Sequence, residues 1–414
     1  MTQKGKILKL SIESLSFGAE GIGRSEGKVI FVKNALPGDL VEAEITVDKK
    51  NYSLARVHRL ITPSKDRVDT PCPVFGECGG CNLQDLEYTR QLFEKESAVR
   101  DTLQRIGKIT NLNLQPAEAS IPDYGYRSKI VLSTLKSEKG YSVSFFEEGS
   151  DNKIPVAHCP VANDIVNRGI EIVNEFLGRE VKRARSIDRI FIASGNTGMG
   201  ITISQRINRK KVNRKLDPGT MKLTGNSETE IESIIDDLHL ISVPSVFMQA
   251  NSYINLKMIE TIKNWMDQGR NENVLDLYCG TGNFTLPVSK IAGHVTGVEK
   301  DGLAVKYARR NSVINKKTNT SFIQGRADDF IKKCKDNFDL VILDPPREGA
   351  RNIVSSLEHL RPEKIIYISC NPATLARDLG ELTNNGYILK KVKPFDMFPH
   401  TYHIEVMALL TSPG

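Results

Sequence analysis

Apolar and polar positions change rhythm twice along this chain of 414 residues. From residue 1 to about 62, short alternating runs (Leu8 to Ile12, Lys28 to Val32, Leu40 to Val47) are cut by turns at Gly18, Gly21, Gly23, Gly27 and Pro37-Gly38. Regular short strands punctuated in this way predict a small all-β barrel. Between about 85 and 240, Glu87 to Ile106 has the spacing of an amphipathic helix, and Lys129 to Phe146 and Arg189 to Ser204 read as strands of an antiparallel region. From about 241 onward strands alternate with helices, the pattern of a parallel, doubly wound sheet. The expected domains are therefore 1–62, 63–240 and 241–414.

In the last domain the apolar runs end in chemically loaded turns. Asn273 to Leu277 opens into Tyr278-Cys279-Gly280-Thr281-Gly282-Asn283, Leu340 to Leu343 into Asp344-Pro345-Pro346-Arg347, and Ile365 to Ile368 into Ser369-Cys370-Asn371-Pro372. Open α/β sheets place their ligands at the carboxyl ends of their strands, so these turns are expected to share one site. Taken alone, Cys370 reads as a small buried hydrophobe; its neighbours argue otherwise. The Gly280-Thr281-Gly282 turn lets backbone approach a ligand, and Glu299, ending the strand Val295 to Val298, is placed to accept from ribose hydroxyls. The turn lacks the third glycine of a dinucleotide site, and no Gly-Lys-Ser/Thr follows it. An adenosine-bearing cofactor without a pyrophosphate fits, and S-adenosylmethionine (SAM) is the expected one.

A methyl donor gives the thiol a use. Uracil C5 is a poor nucleophile until a thiolate adds to C6, after which C5 can take a methyl group and a base must remove its proton. Glu405, entering the apolar run that follows His403-Ile404, is the candidate base, since a carboxylate there is costly unless used or paired.

Composition adds two points. The net charge of +7 permits a nucleic-acid partner, and Lys182-Arg183-Ala184-Arg185 and the run Arg206 to Lys215, with Arg209, Lys210, Lys211 and Arg214, could follow a phosphate backbone. No run approaches a membrane span, and Met1 to Leu10 lacks the apolar core of a signal peptide, so a cytoplasmic protein is expected. Of seven cysteines, Cys72, Cys78 and Cys81 crowd together and Cys159-Pro160 follows at a distance. Four thiolates so spaced are closer to iron–sulfur ligation than to paired zinc knuckles, with zinc left open.

Three resemblances extend this reading. Ser14 to Arg24 with Ala35-Leu36-Pro37-Gly38-Asp39 resembles a TRAM domain, an RNA-binding barrel. The four cysteines match the 4Fe–4S pattern of a subgroup of RNA uracil-5-methyltransferases. The domain from 241 resembles that family throughout, in Phe247-Met248-Gln249-Ala250-Asn251, the Asp276 to Phe284 turn, Asp344 to Arg347, Ser369 to Pro372 and His403-Ile404-Glu405. The resemblance implies an α/β protein with an OB-like TRAM barrel, a central α+β domain holding the cluster, and a Rossmann-like SAM methyltransferase domain. It also implies that Cys370 is the nucleophile and Glu405 the base, with Gln249, Tyr278, Asn283, Glu299, Asp344 and Asp328 at the cofactor and Cys72, Cys78, Cys81 and Cys159 on the cluster. Arg326 stands where an acidic or polar residue is more usual. The implied partner is RNA, 23S rRNA first and the tRNA T-loop as the alternative, with no membrane association and the chain acting as a monomer. Other classes are an amino-methyltransferase, which needs no thiol, a cytosine-5-methyltransferase, and a non-catalytic RNA-binding or folding factor.

Overall fold

The computed structural model describes residues 4–138, 140–179, 186–207, 210–224, 228–267 and 272–413. Lys182 to Arg185 and Arg209 lie outside the described residues, as do the side chains of Lys210 and Lys211.

The first sheet has six strands: β1 (Ile7–Ser11), β2 (Ser14–Leu15), β3 (Gly21–Ser25), β4 (Lys28–Lys33), β5 (Leu40–Asp48) and β6 (Tyr52–Thr62). Their order is β1-β5-β6-β4-β3-β2, all antiparallel except β4 with β6. Strict alternation in β5 buries Val41, Ala43 and Ile45, while Glu42 and Glu44 point outward to Arg59 and Arg56 of β6. Buried Asp39 ties the exit of this sheet, accepting the N–H of Ser64 at 2.8 Å and pairing with Arg67 at 2.6 Å.

The second sheet is antiparallel throughout, in the order β13-β12-β11-β10-β7-β8-β9. Its strands are β7 (Lys129–Ser137), β8 (Gly140–Phe146), β9 (Lys153–Pro155), β10 (Ile187–Gly195), β11 (Gly198–Ile207), β12 (Lys210–Asp217) and β13 (Lys222–Thr224). The helix Asp164–Arg179 covers it with Val166, Ile170, Val173, Phe176 and Leu177. Gly169 permits that approach, since a Cβ there would lie 2.5 Å from Ile192. A hairpin, β14 (Ile231–Ile235) and β15 (Leu238–Ser242), then leads to the last sheet, where Leu238 and Leu240 pack against Leu286, Val305 and Phe322.

The third sheet runs β18-β17-β16-β19-β20-β22-β21. Its strands are β16 (Asn273–Leu277), β17 (His294–Glu299), β18 (Thr320–Gln324), β19 (Leu340–Leu343), β20 (Lys364–Ser369), β21 (Ile388–Phe395) and β22 (Glu405–Thr411). β16 to β20 pair in parallel, and β22 is antiparallel to both neighbours. The strand order reverses beside β16, so a crevice opens at its carboxyl end. Because β22 alone runs the other way, its first residue lies at that same edge.

The chain order hides one feature of the packing. The helix Tyr88–Arg105, between the first two sheets in sequence, buries Val99 and Leu103 against Leu375 and Leu379 of the helix Pro372–Asn384, in the core of the third. Residues 114 and 118 then bridge to Val392 and Phe395 of β21. Helical periodicity shows that a face is buried without showing which core receives it. Among the described residues no helix is long and apolar enough to cross a membrane.

Candidate active site

At the end of β16 the chain turns sharply, with φ of 69° at Tyr278, 56° at Gly280 and 92° at Gly282. Glycine adopts this region freely; Tyr278 is held there by its N–H and that of Cys279, which both bond to Val298 O, at 2.9 and 3.2 Å. Asp276 lies beneath, wholly buried, accepting the Thr285 hydroxyl at 2.5 Å, and burial pushes its carboxyl up to about 7. Glu299 faces the turn from β17, one oxygen accepting Gly280 N–H at 3.2 Å and the other Asp301 N–H at 2.8 Å. Each carboxylate oxygen has a further lone pair, so the group remains able to take ribose hydroxyls.

Gln249 enters from the segment before the helix Ser252–Trp265, which Asn251 caps by accepting Ile254 N–H at 3.2 Å. Asn255 on that helix exchanges two hydrogen bonds with Asn283, at 2.8 and 2.9 Å, fixing the end of the turn. Gln249, Tyr278, Asn283 and Asp344 line one cavity of about 220 Å³. Gln249, Tyr278, Glu299 and Asp344 also line a neighbouring cavity of about 830 Å³ that reaches Cys370 and Glu405. Asp328 lines neither: Arg326 takes both its oxygens, at 3.1 and 2.9 Å, and holds its carboxyl below the usual range.

Cys370 follows β20 directly and precedes the helix Pro372–Asn384, whose N-terminus Asn371 caps through Ala373 N–H at 3.0 Å. The same Asn371 donates to Arg347 O at 3.2 Å, and Thr374 donates to it at 3.3 Å, so the Asp344 to Arg347 turn is stitched to the thiol's own helix. Burial, then the charge of Glu405, push the thiol up to about 11, with Arg347 opposing. Burial pushes the Asp344 carboxyl up to about 7 and the fully buried Glu405 well above the carboxylate range. Raised carboxyls beside a half-buried thiol mark this edge as a candidate functional site.

Cys72, Cys78, Cys81 and Cys159 line the far wall of the larger cavity. All are free thiols; burial raises Cys78 and Cys159 and takes Cys81 to about 12. Their charges repel one another, Cys72 acting on Cys78 and on Cys159. Among the described residues, however, no three His, Cys, Asp or Glu side chains are gathered as ligands of a metal ion.

Two residues at this site were not singled out from sequence. Arg127 lines the larger cavity with the four cysteines and Cys370, its guanidinium 5.9 Å from the Phe398 ring centroid, and opposes the burial that raises the thiols of Cys78, Cys81 and Cys159. Lys129, brought by burial to about 8, donates to Val246 O at 2.5 Å. The available signal was a pair of cations entering the apolar run of β7, the same signal that marks Glu405 in β22.

A family model described as tRNA (Uracil-5-)-methyltransferase matches residues 228–412, and the TRAM domain model matches residues 2–58. The 23S rRNA (uracil(1939)-C(5))-methyltransferase RlmD of Aeromonas hydrophila is 32% identical over 97% of this chain and 96% of its own. The protein of the same name from Shewanella amazonensis is 34% identical over 97% and 95%.

The chain belongs to the RNA uracil-C5-methyltransferase family.

It is thus a SAM-dependent methyltransferase with an N-terminal TRAM domain. Among solved structures, the Pyrococcus abyssi tRNA (uracil-54, C5)-methyltransferase in complex with S-adenosyl-L-homocysteine aligns with a TM-score of 0.73 at 25% identity, over 98% of this chain and 100% of the other. The seven-stranded sheet with antiparallel β22 is therefore the methyltransferase fold of an RNA uracil-C5-methyltransferase.

Proposed function

We propose that this enzyme methylates C5 of a uridine in 23S rRNA. The observation that carries the reading is the meeting of Cys370 and Glu405 at one sheet edge, in a cavity continuous with the Tyr278 to Asn283 turn. Cys370 adds to C6, the C5 carbanion takes the methyl group of SAM, and Glu405 removes the C5 proton so that the thiolate leaves. Gln249, Tyr278, Asn283, Glu299 and Asp344 serve the cofactor and the uracil; Asp328, which lines neither cavity, is left out of this reading. The relatives at 32% and 34% identity carry the 23S rRNA name, which supports that RNA as substrate. A tRNA T-loop is the second reading, favoured by the Pyrococcus neighbour, which acts on tRNA uracil-54. The TRAM barrel and the basic runs would contact backbone and shape, leaving base readout to the cavity.

Cys72, Cys78, Cys81 and Cys159 would hold a 4Fe–4S cluster. The spacing of the four cysteines along the chain and their place on one cavity wall support this reading. Bound there, it would tie the loop after the barrel to the central sheet.

The test is methylation by purified protein of a 23S rRNA transcript and of a bare tRNA T-arm. We expect methyl incorporation into the first; efficient methylation of the T-arm, with none of the 23S transcript, would overturn the substrate.

A further inference from the structure

Glu405 is not held in place by its own sheet alone. The segment leading into it, Asp396 to Ile404, is gripped by residues some three hundred positions earlier in the chain. Lys95 donates to Asp396 at 2.6 Å and to Phe398 O at 3.1 Å, and the Tyr88 hydroxyl reaches the other Asp396 oxygen at 2.9 Å. Gln91 accepts His400 N–H at 2.9 Å and lies 3.1 Å from its Nδ1. His400 O accepts the N–H groups of Asn82 and Leu83, each at 3.0 Å, and the Asn82 side chain accepts Tyr402 N–H at 3.2 Å. His400 sits at φ 66°, a strained conformation for a residue with a Cβ, and such a conformation persists only where its surroundings over-determine it. Stacking on Tyr124, with ring centroids 3.9 Å apart, adds to the grip.

Cys370 is held differently. It is held by β20, the Asn371 cap and the Arg347 turn, and its helix packs on the helix Tyr88–Arg105 through Val99 and Leu103 rather than through the residues that grip Asp396 to Ile404. The two reacting groups share the β20–β22 pairing, but the side-chain hydrogen bonds of Asn82 and Gln91 reach the Glu405 segment, at Tyr402 and His400, and not the Cys370 turn.

We propose that Asn82 and Gln91 are positioning residues for Glu405, and that the loop directly after Cys81 thereby acts in the last step of the reaction. This rests on Glu405 being the base. In that step the C5–H bond breaks, its proton goes to the Glu405 carboxylate, its electron pair forms the C5=C6 double bond, and the C6–S bond breaks to release the Cys370 thiolate. Proton removal demands hydrogen-bond reach, so a small displacement of Glu405 slows it while thiol addition and methyl transfer go on.

The experiment uses full-length protein, SAM and 23S rRNA transcribed with 5-tritiated uridine. Tritium release and protein–RNA adduct on denaturing gels are followed together, with adduct formation on 5-fluorouridine RNA as a separate measure of Cys370 attack. For Asn82→Ala and Gln91→Leu, tritium release should fall roughly ten- to a hundred-fold and methylated adduct accumulate, while the rate of adduct formation on 5-fluorouridine RNA stays within about two-fold. Asn82→Asp, which keeps the acceptor for Tyr402 N–H, should restore release. A uniform loss of all steps, or no accumulation in either variant, overturns the positioning role. Glu405→Gln is run alongside: if it too accumulates nothing, the base assignment has failed, whereas accumulation with Glu405→Gln alone rejects only the role of Asn82 and Gln91.

Discussion

Cys370 and Glu405 occupy opposed positions at the ends of two antiparallel strands. Ser369 pairs with Val406 across β20 and β22, so the next step outward sets the thiol against the carboxyl. Glu405 also pairs with Phe395 of β21, which buries it on the other side. An antiparallel strand in an otherwise parallel sheet thus delivers a strand start to an edge made of strand ends. It brings together two groups separated by a helix, a strand and a long loop.

The thiol should be sluggish in the free protein. With Cys370 raised to about 11, its thiolate is a minor species at neutral pH, and its alkylation by iodoacetamide should climb about tenfold per pH unit from 7 to 10. Arg347 lowers the thiol, so Arg347→Ala should slow alkylation at fixed pH. Peptide-level mass spectrometry of Cys370 reads this directly; a plateau near pH 8 would contradict it.

The cofactor turn gives a contrast between two carboxylates. Glu299→Ala should weaken SAM binding by roughly ten-fold or more, because the proposed acceptor for ribose at the cavity wall is lost. Asp328→Ala should change it little, since Asp328 lines neither cavity. Calorimetric titration of SAM separates the two, and equal losses would restore Asp328 to the cofactor site.

Lys95 and Asp396 form an ion pair with side chains 3% and 0% exposed. Asp396→Asn leaves a buried ammonium without its counter-charge, for which about 3 to 5 kcal/mol of destabilisation is expected. Denaturant unfolding measures it; a loss under about 1 kcal/mol would mean that water reaches the pair.

Anaerobically purified protein is expected to be brown, with iron and sulfide in equal amounts, and Cys159→Ser should lose both. A colourless protein with one stoichiometric zinc would replace the cluster with a structural zinc site.

What was legible in the sequence was local. β16, β19 and β20 announce themselves as apolar runs, and the residues just past them, Tyr278, Asp344 and Cys370, had to share an edge once the sheet was parallel. Glu405 was visible as a charge entering an apolar strand, although the antiparallel direction that carries it to that edge was not. The contacts of Gln91 with His400 and of Asn82 with Tyr402 left no local trace, because they depend on where a helix and a loop from the front of the chain settle. The helix Tyr88–Arg105 showed an apolar face that fits any core, and only packing chose the third sheet.

The most direct measurement is to incubate the protein with SAM and 5-fluorouridine-substituted 23S rRNA and identify the trapped residue by mass spectrometry. Fluorine cannot leave as a proton, so the reaction should halt with methyl group and RNA both attached, and the crosslinked peptide should carry its nucleotide on Cys370. Cys370→Ala should bind SAM normally and trap nothing. An adduct formed equally well by the alanine variant, or carried by another residue, would contradict the account.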